Sequence, residues 1–271
     1  MPILTIKRLT LCSLTALMCT GGPAAFAHTL VQDAATAGTE SFNAFVITHG
    51  CGGGHDDPTP LKVRGQSAVF PFGAAVWNEI QTDGVEVPIP TGAVGITNED
   101  EDFITLDVGG IQDNDPFKIQ QEETNPLGND PPGPFDSVPV RALNWKGGAL
   151  SLDLLGTPKF QVTPPTILDP CVSVLHVRIA VANWCEKHKN EANDADNDRA
   201  DWWFTGPDKT GSTLFVDPEL VQEDFWTTLT VINPDAASCT GTPREVAVQP
   251  SGTDIDTYLP YKPFTKGPGP Y

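Results

Sequence analysis

The run Cys171-Val-Ser-Val-Leu-His-Val-Arg-Ile-Ala-Val-Ala-Asn-Trp-Cys185 decides the fold class. Leu175, Val177, Ile179 and Val181 fall on one face of an extended chain and His176, Arg178, Ala180 and Ala182 on the other, the period-2 alternation of a strand. If that strand is unbroken, about 3.3 Å per residue holds Cys171 and Cys185 on the order of 45 Å apart. No disulfide spans that distance. Further β-rich runs recur at residues 41–49, 61–70, 103–108, 138–145, 225–232 and 245–249, with turn-rich stretches between them. The pattern predicts an all-β chain, an antiparallel β-sandwich with long loops. The 25 Gly and 26 Pro residues agree with short strands and exclude an all-helical bundle.

Residues 1–27 have the parts of a secretory leader: Lys7 and Arg8, an apolar run from Leu9 to Met18, and Ala25-Phe26-Ala27 at the end. That run falls short of the roughly 20 residues a permanent bilayer span needs, and no later run is longer. The expected organisation is a leader at 1–27, one domain at 28–257 and a Pro-rich tail at 258–271. No transmembrane segment is expected in the mature chain, which would reside in the periplasm, at the cell surface or outside the cell. Loss of Lys7 and Arg8 with the leader moves the net charge from −19 to −21. Such a surface repels the phosphate backbone of nucleic acids and gathers cations.

Cleavage after Ala27 removes both methionines and leaves Cys51, Cys171, Cys185 and Cys239. Four cysteines in an exported chain, none in a Cys-x-x-Cys spacing, predict two disulfides and no zinc cluster. Because the long strand keeps Cys171 from Cys185, each must join Cys51 or Cys239; Cys51 with Cys185 is the preferred pairing.

Cleavage also makes His28 the first residue. A terminal His offers a free amine and an imidazole Nδ1 to one metal, and the amine, with an ordinary pKa of about 7.7–8.0, gives up its proton easily to a competing ion. Among divalent ions Cu(II) binds such nitrogen donors best. His49 and His55 flank the Gly50-Cys51-Gly52-Gly53-Gly54 run and are further candidate ligands, as is His176 on its strand. Asp194, Asp196, Asp198 and Asp201 alternate like a weak calcium loop, although Arg199 stands where an EF-hand needs Gly. The chain has no Gly-x-Ser-x-Gly elbow, no His-Glu-x-x-His helix and no Gly-x-Gly-x-x-Gly turn.

The segment from His28 through Ala37-Gly38-Thr39, Ser41-Phe42 and Phe45-Val46-Ile47-Thr48 to His49-Gly50-Cys51, then Pro58-Thr59-Pro60-Leu61-Lys62-Val63-Arg64 and Phe70-Pro71, resembles the start of the YcnI-like copper-binding domains. The resemblance implies a secreted β-sandwich whose terminal His holds copper by amine and imidazole, with a carboxylate and a Trp nearby. Only His28 and the His-Gly-Cys stretch carry over. More distantly, the Cys171–Cys185 run is similar to the MopE and CorA type of methanotroph surface copper-binding proteins. Those use a Trp, oxidised to kynurenine, two places before a His. Here Ile47, Gly53, Val174 and Glu186 stand in that place, so that site does not transfer.

The expected function is therefore copper capture or handling outside the cytoplasm, as Cu(II) or Cu(I), with a protein partner of unknown identity delivering or receiving the ion. Two alternatives belong to other classes. One is a histidine-brace copper monooxygenase, in which His176 supplies the second imidazole. The other is a structural surface protein without metal.

Overall fold

The computed structural model describes residues 29–48, 62–72, 75–90, 95–97, 107–110, 119–123, 140–151, 154–185, 200–204, 210–213, 215 and 226–259. Its strands are β1 (Thr29–Val31), β2 (Ala35–Thr36), β3 (Ser41–Ile47), β4 (Val63–Val69), β5 (Val76–Ile80), β6 (Glu86–Pro88), β7 (Ile96–Thr97) and β8 (Asp107–Gly110). There follow β9 (Ile119–Glu123), β10 (Ala142–Lys146), β11 (Lys159–Thr163), β12 (Thr166–Ile167), β13 (Val172–Cys185), β14 (Ala200–Trp203), β15 (Thr227–Ile232) and β16 (Arg244–Gln249). One short helix, α1 (Gly252–Tyr258), comes last. The all-β, sandwich-like class expected from the alternating runs is what the chain adopts.

β13 is the long strand read from the sequence, and it is continuous over 14 residues. Its N-terminal half pairs with β15 and β16, and its C-terminal half with β4 and β14. From there the larger sheet extends through β5 and β6 on the β16 side and through β10 and β9 on the β4 side. A four-stranded sheet in the order β1-β3-β11-β8 forms the opposing layer.

One expectation needs correction: the sheets are not wholly antiparallel. β16 runs parallel to β13, and β2 runs parallel to β15. Parallel neighbours need long connections, and such pairing leaves no mark in local periodicity. The strand expected over 103–108 is described only as Asp107–Gly110, residues 103–106 lying outside the described residues. β11 was hidden by the Pro164-Pro165 pair just beyond it, yet Phe160 and Val162 are fully buried while Lys159 is exposed.

Between the sheets, Leu175, Val177, Ile179 and Val181 of β13 join Phe45, Ile47, Phe160 and Val162 of the smaller sheet and Trp145 of β10 in one apolar core. Phe45 anchors it, stacking on Phe160 at 4.7 Å between ring centres and meeting Trp145 edge-on at 5.7 Å. The opposite face of β13 is apolar only in its C-terminal half. There Ala180, Ala182 and Trp184 meet Trp202, Phe204 and Phe215 and, from α1, Ile255 and Tyr258. Trp202 and Phe204 thus pack as core, with Trp203 and Trp226 partly buried. Small side chains at 180 and 182 let this layer approach the sheet closely. The start of α1 packs closely on residues 210–212: a Cβ on Gly252 would lie 2.2 Å from the backbone carbon of Gly211.

The Pro-rich tail was expected from Tyr258. Tyr258 closes α1, and both it and Leu259 are buried in this second layer, so the folded domain extends through Leu259. Residues 260–271 lie outside the described residues.

At the start of β13, Cys171 is bonded to Cys239, 68 residues later. This is one of the pairings that the length of β13 allows. Beside it, the Asp169 carboxylate accepts from Arg244 Nη2 and from the Cys171 backbone N–H, both at 2.8 Å, while Arg244 Nη1 donates to Glu79 at 3.0 Å. The Arg244 side chain, ahead of the Cys171 N–H, holds the Asp169 carboxyl below its ordinary pKa, and Asp169 raises that of Arg244 in turn.

Two outcomes follow from this end of the strand. Closing a loop of that length predicts a loss of roughly 2–4 kcal/mol in Cys171→Ser/Cys239→Ser, read from denaturant unfolding. A lowered Asp169 pKa means that its stabilisation is present above the unfolded-state value, near pH 4, and disappears as pH falls through the lower folded-state value. Asp169→Asn is expected to cost about 1 kcal/mol at neutral pH and to narrow the stability gap to wild type as acid unfolding sets in.

Candidate functional site

Register places five strand ends together. Thr29, the first residue of β1, pairs with Ile47, the last of β3. Cys185 at the end of β13 pairs with Val63 at the start of β4, and Trp184 pairs with Ala200 at the start of β14. A hydrogen bond from Asn183 Nδ2 to Thr29 Oγ1, 3.0 Å, ties the two groups of ends to each other. Chain segments 49–61 and 186–199 therefore both attach at this end of the sandwich, as does everything that precedes Thr29.

That convergence gathers the attachment points of most candidate residues. His28 is one residue from Thr29, and His49 is two from Ile47. His28, His49, His55, Cys51, Asp194, Asp196 and Asp198 themselves lie outside the described residues, and Asp201 is described only as a backbone position in β14. Cys185 is disulfide-bonded to a residue outside the described set. Among the described residues no group of three or more His, Cys, Asp and Glu side chains comes together, so any metal held here takes most of its donors from the attached segments.

His176 sits elsewhere. Its Nε2 lies 2.8 Å from Glu245 Oε2, on the face of the sheet turned away from the smaller one. From Asn183, which touches Thr29, His176 is seven residues back along β13, on the order of 23 Å, and the two point to opposite faces. His176 is thus remote from Thr29 along the strand. Arg178, two residues on, reaches Glu86 and Gln249 and completes a charged row beside the His176–Glu245 pair.

What sequence reading missed is the buried polar chain behind the converging ends. Gln66 of β4 donates from Nε2 to Asn183 Oδ1 at 2.8 Å, Asn183 donates to the Thr29 hydroxyl, and Thr227 Oγ1 donates to the Thr29 carbonyl at 2.9 Å. All four residues are at most 2% exposed. Gln66 Oε1 is buried with no hydrogen-bond partner, a state that costs about 1–3 kcal/mol. A second polar row lies on the other face of the same strands, where Trp184 Nε1 donates to Ser67 Oγ at 2.8 Å and Ser67 donates to Asn144 Oδ1 at 2.6 Å. The available signal was a single amide inside each strand, Gln66 within Val63–Val69 and Asn183 within Val172–Cys185.

No helix among the described residues is long and apolar enough to cross a membrane. No protein-family model matches the chain, and no curated protein or solved structure does so either.

Proposed function

We propose that this is an exported copper-binding protein that captures or hands on copper outside the cytoplasm, with the metal held by the amine and imidazole of a mature N-terminal His28. One observation carries the reading: the strand ends next to His28 and His49 converge where Thr29 is fixed by buried hydrogen bonds. A chelate built on a chain terminus needs that terminus held in place, and residue 28 is one peptide unit from an immobilised residue. The donor chemistry fits: an amine with one or more imidazoles is a set that Cu(II) prefers over other divalent ions. His49 would be a further ligand or would orient one, and the acidic surface would raise the local cation concentration without selecting among cations. A partner would deliver or accept the ion.

One residue added before His28 turns the amine into an amide and leaves imidazole, fold and charge nearly unchanged. Cu(II) affinity, measured by competition with a chromophoric chelator, is expected to fall in the Gly-extended protein and in His28→Ala. The fall should exceed the roughly 10–100-fold that loss of an outer-shell partner causes. His188→Ala and His176→Ala should bind as wild type. Equal affinity with and without the extension would transfer the site to His49 and His55. Reductant-dependent peroxide together with oxidised sugar products would instead identify a monooxygenase.

A further inference from the structure

β1 is three residues long, and its described ladder runs along β3 alone. Such a ladder by itself holds a chain end weakly, because terminal residues fray. Thr29 is nevertheless fixed through two more of its atoms, the hydroxyl by Asn183 and the carbonyl by Thr227, and Asn183 is fixed in turn by Gln66. The hydrogen bonds from Gln66 run in one direction, each amide giving its N–H to the next oxygen until Thr29 is reached. Stability alone does not account for the amides. Gln66 Oε1 is buried without a partner among the described residues, and apolar side chains of similar shape at 66, 183 and 29 together would carry no such penalty.

We infer that Gln66 and Asn183 are positioning residues for the mature N-terminus. They set the place and orientation of Thr29, and through one peptide unit those of the residue before it, relative to the ends of β3, β4 and β13. Their consequence for copper rests on the function proposed above, whereas their consequence for β1 does not. Neither side chain is a ligand. Their effect is to spare the metal the entropy of ordering a loose terminus, the way outer-shell partners tune a site.

The test compares the full mature protein with Gln66→Leu/Asn183→Leu/Thr29→Val, which removes both amides and the hydroxyl they reach together, so that none of the three is left stranded. Three quantities are measured: melting temperature, hydrogen exchange of the β1 amides, and Cu(II) affinity by chelator competition. The melting temperature is expected to hold or rise, while β1 exchange speeds up about 10-fold or more and copper affinity falls about 10–100-fold. Thr29→Val alone, which deletes only the hydroxyl that Asn183 contacts, is the second variant should the triple one fail to fold, and the same exchange and affinity changes are expected. Unchanged β1 exchange in a folded variant would overturn the positioning role. Faster exchange with unchanged affinity would overturn its link to copper. A wild-type protein that binds no copper would refute the proposed function and leave the exchange measurement to decide the inference.

Discussion

The C-terminal half of β13 is buried on both faces, and the rest of the structure depends on that constraint. Val181 faces the inter-sheet core, while Ala180, Ala182 and Trp184 face the layer that α1 completes. A strand covered on both sides has no solvent face on which to place a charge, and its last seven residues, Ile179–Cys185, contain none. The N-terminal half is covered on one side only, and there the open face carries His176 and Arg178, both paired with carboxylates. One strand therefore follows two rules, and the change between them at Ala180 marks where the second apolar layer begins. Four strands pair with β13, two on each half. A shift of its register would misplace both cores at once.

The two ends of β13 are secured by different means. Its start is closed by a covalent bond to Cys239 and by Asp169 bridging Arg244 and the Cys171 amide. Its other end is where segments 49–61 and 186–199 attach, and the described ladders end there. Polar side chains take over: Asn183 reaches across to the opposing sheet while Trp184, on the other face, ties into Ser67 and Asn144. Hydrophobic contact is not directional, so it presses the layers together without fixing the rotation of a chain end. Hydrogen bonds have preferred lines of approach, which makes an amide a suitable clamp for Thr29.

Much of this was legible in the sequence because one face of β13 is apolar from Leu175 to Val181 while the other carries His176 and Arg178. Alternation exposes a strand whose two faces differ, and the distance between Cys171 and Cys185 follows from the strand's length alone. Sheet order is another matter. Whether β16 lies parallel or antiparallel to β13 depends on how the intervening chain travels, and Arg244–Gln249 reads the same in either direction. β11 was obscured because two prolines resemble a loop, although Pro beyond the last ladder residue is compatible with a strand. The polar chain from Gln66 to Thr29 was invisible for a different reason: an amide within an apolar strand looks like an interruption until its partner strand is known. His28 and His49 are 21 residues apart in sequence, and only the pairing of Thr29 with Ile47 brings their attachment points together.

Charge and geometry divide the work that selective metal capture would require. Without residues 1–27 the net charge would be −21 and would attract every cation, but at physiological ionic strength that field is screened within about 8 Å. It raises local concentration near the surface and distinguishes copper from calcium or magnesium only through charge. Discrimination has to come from donor atoms, and nitrogen donors favour copper strongly over the hard cations that an acidic surface also gathers. Two nitrogens on one residue chelate only when both can face the ion, so the selective step depends on how the terminus leaves the fold. That dependence gives a reason for polar anchoring at Thr29 in a core where apolar packing would serve stability at least as well. The Asn183–Thr29 hydrogen bond stands one residue from the atom on which selectivity would turn, and Gln66, whose Oε1 is buried without a partner among the described residues, supports it from behind.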